Sequence, residues 1–429
     1  MIRLVSNSSL PSLTSGCDWE GSDRVQIKEF FAKAVKECRE PAFSADLKTL
    51  VEQKGSDYVR DAVEGMLLGA YEPERYPARA KKEWTMELTG IPSEAEAIVR
   101  ETEALAEGII WARNMTNRPG NLLHPADFLE EVKTLFAGLS PETPAEIQAL
   151  DVKEMQELGM NAILGVGLSS ANSPYLCIIR YRGNPGDSRI TGLVGKGVTV
   201  DSGGYCLKSS ASMKGIKGDM AGGAAVAGAV FALAKNRIPV NVVGLIPMAE
   251  NRLSDGSMLP GDVITSFGGK TIEILDTDAE GRLILADSVA YAVRKEHVDR
   301  VVDIATLTGA VCSSLGFGAA GALCDQEEFF REFEQAYGMS GERYLRFPIY
   351  AEYERMIESE IADIKNFGGQ FAGTITAGLF VRAFAENIPW LHLDIAGTAW
   401  VDPPVFEYQS KGATGAGVTS MYFLCAGRS

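Results

Sequence analysis

Two short segments of the 429-residue chain concentrate side chains that can hold metal ions. The first is Gly195-Lys196-Gly197-Val198-Thr199-Val200-Asp201-Ser202-Gly203-Gly204-Tyr205-Cys206-Leu207-Lys208, with Asp219 following, and the second is Asp276-Thr277-Asp278-Ala279-Glu280-Gly281-Arg282-Leu283. Asp201, Asp219, Asp278 and Glu280 together carry a charge of about minus four at neutral pH, which two divalent cations would neutralise. Without cations, carboxylates this close repel and raise one another's pKa. Metals paired roughly 3.5 to 4 Å apart lower the pKa of water from about 15.7 toward 7, which supplies a hydroxide nucleophile without a serine or cysteine. Asp278 and Glu280 alternate with small or neutral residues, so an extended backbone would point both the same way. The three histidines, His124, His297 and His392, are far apart in the chain, so carboxylates must dominate any metal site. Spacing by itself leaves a second reading open, in which these are solvated loop carboxylates beside glycine turns.

The rest of the composition narrows the setting. An apolar fraction of 46% and a charged fraction of 23% are ordinary for a globular protein, and the length predicts two or three domains. The net charge of -16 argues against a nucleic-acid surface, which needs clustered Lys and Arg. MIRLVSNSSLPSL lacks the pattern of a secretory signal and reads as a mature start. The longest uncharged stretch, Ile304 to Cys324, is interrupted by four glycines and reads as strand, loop and strand rather than a membrane span. Seven scattered cysteines without a CxxC pair predict reduced, mostly buried thiols and a cytoplasmic protein.

The elements that must position these residues are legible from periodicity. Residues 1–92 read as a small α/β domain with helices over 24–39 and 56–70. Pro92-Ser93-Glu94-Ala95-Glu96 reads as a helix start with a capping box, and Ile98, Thr102, Leu105 and Ile109 give one face of a connecting helix over 93–116. From 117 to 429, strands over 175–181, 190–195, 240–247, 301–307 and 390–397 alternate with helices over 219–235, 281–296 and 373–386. That alternation predicts an α/β catalytic domain with a mostly parallel central sheet covered on both faces. Open sheets of this kind bind ligands at the carboxyl ends of their strands, where Lys196, Asp201 and Thr306 to Gly309 fall.

DTDAEGRL and GKGVTVDSGG resemble the signature segments of the leucyl aminopeptidase, or cytosol aminopeptidase, family. The likeness continues through PGDVITSFGGKTIEIL, ATLTGA, IADIKNFGG, AGTITAGLF, HLDIAGTAW and GATGAGV, covering roughly residues 115 to 418, and EGMLLGAYEPERY resembles the end of the family's N-terminal domain.

The resemblance implies a two-metal aminopeptidase acting on short peptides. By it, Lys196, Asp201, Asp219 and Glu280 would hold one divalent ion and Asp201, Asp278 and Glu280 the other, with Zn or Mn expected. Lys196 would bind as the neutral amine, and moving its pKa from about 10.4 to 7 costs roughly 4.6 kcal/mol, which coordination must offset. A phosphate-loop lysine is the bland alternative, and GLVGKG lacks that motif's spacing. Lys208 would stabilise the oxyanion. Arg282, with Ala279, Gly281 and Leu307, would hold a bicarbonate acting as general base, unless it simply pairs with Glu280. Ile216, Thr306, Gly309, Ala396 and Ala399 match the pocket for the first side chain, favouring Leu or Met, with ordinary packing as the alternative. His392 reads as a satisfied core histidine, and His124 and His297 are given no role.

The family also implies a homo-hexamer with inward-facing sites. Two departures stand out: Asp276 replaces the usual Asn, and the N-terminal unit is short. The competing reading is a relative with a DNA-binding or other non-catalytic role, which the acidic balance disfavours.

Overall fold

A computed structural model describes residues 2–14 and 17–427. The first unit contains β1 (Ile2–Leu4), α1 (Arg24–Glu37), β2 (Ala42–Asp46), α2 (Lys48–Lys54), α3 (Val59–Gly69) and β3 (Thr85–Thr89). Its three strands form a parallel sheet in the order β1-β3-β2. Phe31, Phe43, Val63, Met66 and Leu88 close a separate core beneath it. The helix expected over 56–70 is interrupted at its start, where Ser56–Tyr58 takes the tighter 3-10 form.

The long helix α4 (Glu96–Asn117) follows. The capping box expected at Ser93 and Glu96 does not form, because Ser93–Ala95 is itself a 3-10 turn in which the Glu96 amide bonds the Ser93 carbonyl. The backbone thereby satisfies a donor that the serine would otherwise have served.

The larger unit continues with α5 (Pro125–Ala137), β4 (Ala145–Leu150), α6 (Val152–Leu158), α7 (Asn161–Gly167), β5 (Tyr175–Arg182), β6 (Thr191–Gly195) and β7 (Gly197–Asp201). Next come α8 (Ala221–Lys235), β8 (Asn241–Asn251), β9 (Val263–Thr265), β10 (Thr271–Glu273), α9 (Gly281–Arg294), β11 (Arg300–Ala305), α10 (Gly309–Leu315) and β12 (Ala320–Cys324). The chain ends through α11 (Glu327–Ser340), β13 (Tyr344–Arg346), α12 (Ala351–Arg355), β14 (Ile364–Lys365), α13 (Gly373–Arg382), β15 (Trp390–Asp394), the β16–β17 pair (Trp400–Val401 and Gly412–Ala413) and α14 (Val418–Ala426).

The main sheet runs β13-β12-β15-β11-β6-β8-β5-β4, with β7 also pairing to β8. Its centre, β15-β11-β6-β8, is parallel, and antiparallel pairings lie toward the edges. Strands β6, β8 and β15 are buried along their whole length, which is why they read as near-continuous apolar runs. Leu105, Phe231, Ile304 and Phe423 belong to the core on one face, and Ile163, Leu283, Phe380 and Trp390 to that on the other. Helix α4 is more than a connector, since it packs on α8 where a Cβ on Gly108 would meet the Gly228 carbonyl at 2.5 Å.

Two expectations need adjustment. Between β11 and β12 the uncharged stretch forms the short helix α10 rather than a loop, because the Thr308 side chain caps it by accepting from the Val311 amide. All seven cysteines are free, as expected, but only Cys177, Cys324 and Cys425 are buried. Among the described residues one helical run, Ser212–Lys235, is long and apolar enough to cross a membrane, and 83% of its apolar window is buried inside the protein.

The far end of β8 is held by Glu250, fully buried, which accepts from Arg252, Ser170 and Asn172 and pairs with His124 Nδ1 at 2.8 Å. His124 thus anchors β8. Burial alone would raise the Glu250 carboxyl, but these partners outweigh it and hold it down at about 2. The folded value lies below the unfolded one, so the stabilisation is present above about pH 4.5 and is lost as pH falls toward 2. Melting temperatures of the wild type and Glu250→Gln measured from pH 6 to pH 2.5 should converge at the acid end.

Candidate metal centre

The two chemistry-bearing segments meet where β6, β7 and β11 end. Strands β6 and β7 both pair with β8, and Lys196 occupies the break between them. Its backbone is fixed on both sides, donating to the Ile304 carbonyl at 3.1 Å and accepting from the Gly223 amide at 2.7 Å. The Lys196 side chain, 3% exposed, reaches Asp219 Oδ2 at 2.7 Å and Glu280 Oε1 at 2.8 Å and donates to the Thr306 carbonyl at 3.3 Å. Asp201, Asp278 and Glu280 each offer an oxygen within 4.8 Å of the others. All five expected ligands therefore converge.

The backbone route differs from the expected one. Asp278 lies in a turn closed by the Ala279 amide on the Asp276 carbonyl, and Glu280 has a helical backbone as the cap of α9. An extended strand is not what aligns the two carboxylates; the turn into α9 does so. Both α8 and α9 begin at the cluster, just after Asp219 and Glu280, and their amino-terminal dipole ends favour negative charge there.

Neutral side chains missed by the sequence reading fix the geometry. Asn251, paired with Asp201 across β8 and β7, donates to Asp201 Oδ1 at 2.9 Å and to the Thr277 carbonyl at 3.0 Å. The Thr277 hydroxyl donates to the Gly203 carbonyl at 2.7 Å and accepts from the Cys206 amide at 2.8 Å, which ties the two segments together. Asn366 accepts from the Leu275 and Asp276 amides and donates to the Asp276 carbonyl. The only sequence signals for these were Thr277 within the second segment and Asn366 within IADIKNFGG. Asp276 accepts the Asp278 amide at 2.9 Å while also lining the cavity, so it shapes the turn.

Charge is the dominant feature of the centre. Burial pulls the Lys196 ammonium down, but Asp219, Glu280 and Asp201 push it further up, so it rises on balance. Lys208, which reaches Asp201 Oδ2 at 2.6 Å and also contacts Asp278, is raised by the same balance. Burial and the neighbouring carboxylates lift Asp219 well above its usual range and Asp278 to about 7.

The donor set fits divalent cations. Asp219 Oδ2 and Glu280 Oε1 are buried and, although close to Lys196 Nζ, make no hydrogen bond of acceptable geometry. Their lone pairs converge as ligands would. Arg282 is buried, lowered to about 10 by burial, and donates through Nη1 to the Asn366 carbonyl at 2.9 Å, while its Nε has no partner. It forms no ion pair with Glu280 within 4.0 Å.

With Glu280 buried behind them, Lys196, Asp201, Asp219 and Asp278 line a cavity of about 880 Å³. Ile216, Thr306, Gly309 and Ala396 line it, as do Lys208, Ala279, Arg282 and Leu307. Ala399 does not: it is 2% exposed and packed in the core, its amide tied to the Ile395 carbonyl, and Trp400 takes the wall position. Gly281 stands behind the wall against Lys196, and the Leu307 amide is directed to Asp394 Oδ1 at 3.2 Å. His392 is buried with Nδ1 on Asp303 at 2.5 Å, but its Nε2 has no partner, so the core histidine is satisfied on one side only. A Cβ on Gly281 would fall 2.6 Å from Lys196 Cε and 2.7 Å from Nζ, which three partners pin in place. The Gly281→Ala variant is therefore expected to fold but to lose at least roughly tenfold in metal affinity, about 1.4 kcal/mol, as read by calorimetric titration with Mn.

Comparison with known proteins places nearly the whole chain. The model of the cytosol aminopeptidase family, catalytic domain, matches residues 110–422. The "Probable cytosol aminopeptidase" of Clostridium perfringens (strain 13 / Type A) is 40% identical over 412 residues, covering 93% of this chain and 82% of that one. That of Solibacter usitatus (strain Ellin6076) is 41% identical over 373 residues, covering 86% and 76%. Among solved structures, the bottromycin maturation enzyme BotP in complex with Mn superposes with a TM-score of 0.87 at 31% identity, covering 95% of this chain and 88% of that one. Taken with the acidic cluster, these likenesses establish that the chain belongs to the cytosol aminopeptidase family and is a metal-dependent aminopeptidase.

Proposed function

We propose that the chain removes a Leu- or Met-like first residue from short peptides at a centre holding two divalent ions. The observation that carries this reading is the convergence of Asp201, Asp278 and Glu280, flanked by Lys196 and Asp219, beside a cavity that Ile216, Thr306, Gly309 and Ala396 also line. Lys196, Asp201, Asp219 and Glu280 would hold one ion and Asp201, Asp278 and Glu280 the second. Zn tolerates the mixed nitrogen and oxygen set and Mn suits its oxygens; the likeness to a Mn complex adds weight to Mn. Bound there, the ions would supply a hydroxide nucleophile at neutral pH and polarise the scissile carbonyl.

The chain's own residues do the remaining work. Recognition of the substrate's free α-amine at this centre would confine cleavage to the first peptide bond and make the enzyme an exopeptidase. Ile216, Thr306, Gly309 and Ala396 receive the first side chain. Lys208 Nζ faces the carboxylates from the cavity side, where a fixed cation stabilises developing oxyanion charge by about 3 kcal/mol. The unpartnered Arg282 Nε, with Ala279 and Gly281, suits a small anion such as bicarbonate, which would supply a general base; Leu307 contributes less, because its amide serves Asp394.

The reading extends to a cytoplasmic homo-hexamer, and to a division into a small domain over 1–92, a connecting helix over 93–116 and a catalytic domain over 117–429. Leucine p-nitroanilide hydrolysis tests the core of it. Protein stripped by chelator is expected to regain activity with Zn or Mn, to ignore the N-acetylated substrate, and to stay inactive as Glu280→Ala. Cleavage of the acetylated substrate, or full activity in that variant, would overturn the reading. Asp276→Asn is expected to retain the rate and the metal affinity within about threefold, since an amide oxygen can still accept the Asp278 amide; a larger change in metal affinity by titration would show that the extra charge acts on the ions.

A further inference from the structure

The motif HLDIAGTAW contributes Ala396 to the cavity wall, yet its aspartate contacts none of the expected ligands. Asp394 closes β15 beside Ala305 at the end of β11, and its carboxylate is fully buried. Oδ1 accepts the amides of Leu307 at 3.2 Å, Thr308 at 3.4 Å and Ala396 at 3.2 Å. Oδ2 accepts the Thr308 hydroxyl at 2.6 Å. That hydroxyl also caps α10 through the Val311 amide at 3.2 Å and meets the Thr374 hydroxyl of α13 at 3.1 Å.

Two separate loops, one at 306–309 and the other at 396, thus hang on a single buried carboxylate. They carry Thr306, Gly309 and Ala396, three of the four cavity-lining residues assigned to the first side chain. Burial removes the water that would compete for these donors, so a carboxyl group that accepts four of them holds both loops firmly. We propose that Asp394 is a positioning residue that sets the width of the pocket for the first side chain, and so the selectivity among N-terminal residues, by fixing the Leu307, Thr308 and Ala396 amides. The inference rests on the pocket assigned under the proposed function. It places selectivity under a residue that touches neither substrate nor metal.

The test compares wild type, Asp394→Asn, Asp394→Ala and Thr308→Val on Leu and Ala p-nitroanilides, with kcat and KM determined separately and bound Mn measured by elemental analysis. In Asp394→Ala the ratio of kcat/KM for Leu over Ala is expected to fall roughly tenfold, through a higher KM for Leu, at unchanged metal content. Asp394→Asn keeps an oxygen for the three amides and should retain most of the ratio. Thr308→Val keeps the carboxylate, removes its hydroxyl donor, and should give an intermediate fall; it decides the matter if Asp394→Ala does not fold. Loss of Leu and Ala hydrolysis together at a constant ratio would overturn the role given to Asp394 while leaving the pocket intact. A wild type without preference for Leu over Ala would overturn the pocket assignment, and this inference with it.

Discussion

Holding four carboxylates together inside a protein is the constraint on which the rest of this structure depends. Coulomb repulsion between charges at hydrogen-bonding distances is severe in a low-dielectric interior. The chain answers with opposite charge and with fixed dipoles. Lys196 and Lys208 lie between pairs of carboxylates, and the helices α8 and α9 both start at the cluster. A parallel sheet suits this task because its crossover connections bring strand ends and helix starts to the same edge. Fold and site are therefore one solution to one electrostatic problem.

Neutralisation alone would leave the carboxylates mobile. Orientation comes from amide and hydroxyl side chains: Asn251 on Asp201, Thr277 between the two segments, and Asn366 beneath the turn at Asp276. All three bond backbone, and Asn251 bonds the Asp201 carboxylate as well, so a ligand cannot shift unless a loop moves with it. Glu250, one residue before Asn251 and fixed by four neighbours, carries the same logic back into β8. A cluster held this way loses little entropy when it takes up ions, which is the general advantage of a preorganised site.

The sequence made the parallel core and the charged cluster legible because both depend on strong local signals. Runs such as VNVVGLIP and WLHLDIAG are apolar on both faces, and the carboxylates and lysines stand in two short segments. What it hid was decided by contacts distant in the chain. Asn251 and Asn366 look like ordinary loop amides until β8 and the turn before α9 come together. The Asp278–Glu280 alternation suggested a strand, but the demand for a helix start at Gly281 prevailed. Ala399 followed the family pattern, whereas here its amide bonds back to Ile395 and the side chain turns into the core. The capping box at Ser93 failed because a 3-10 turn met the same donor first.

Small residues connect the two requirements of charge and close packing. Gly195 lies where a Cβ would strike the Gly222 carbonyl at 2.4 Å, so β6 and the start of α8 come closer than any larger residue would permit. That approach brings Lys196, just past the end of β6, and Asp219, just before the start of α8, within 2.7 Å of each other. Gly281 plays the matching part on the other side, making room for the Lys196 side chain at the start of α9. A larger residue at either position would separate an ammonium from its carboxylate in a setting where each needs the other. The glycines around this centre are thus part of its electrostatics as much as of its packing.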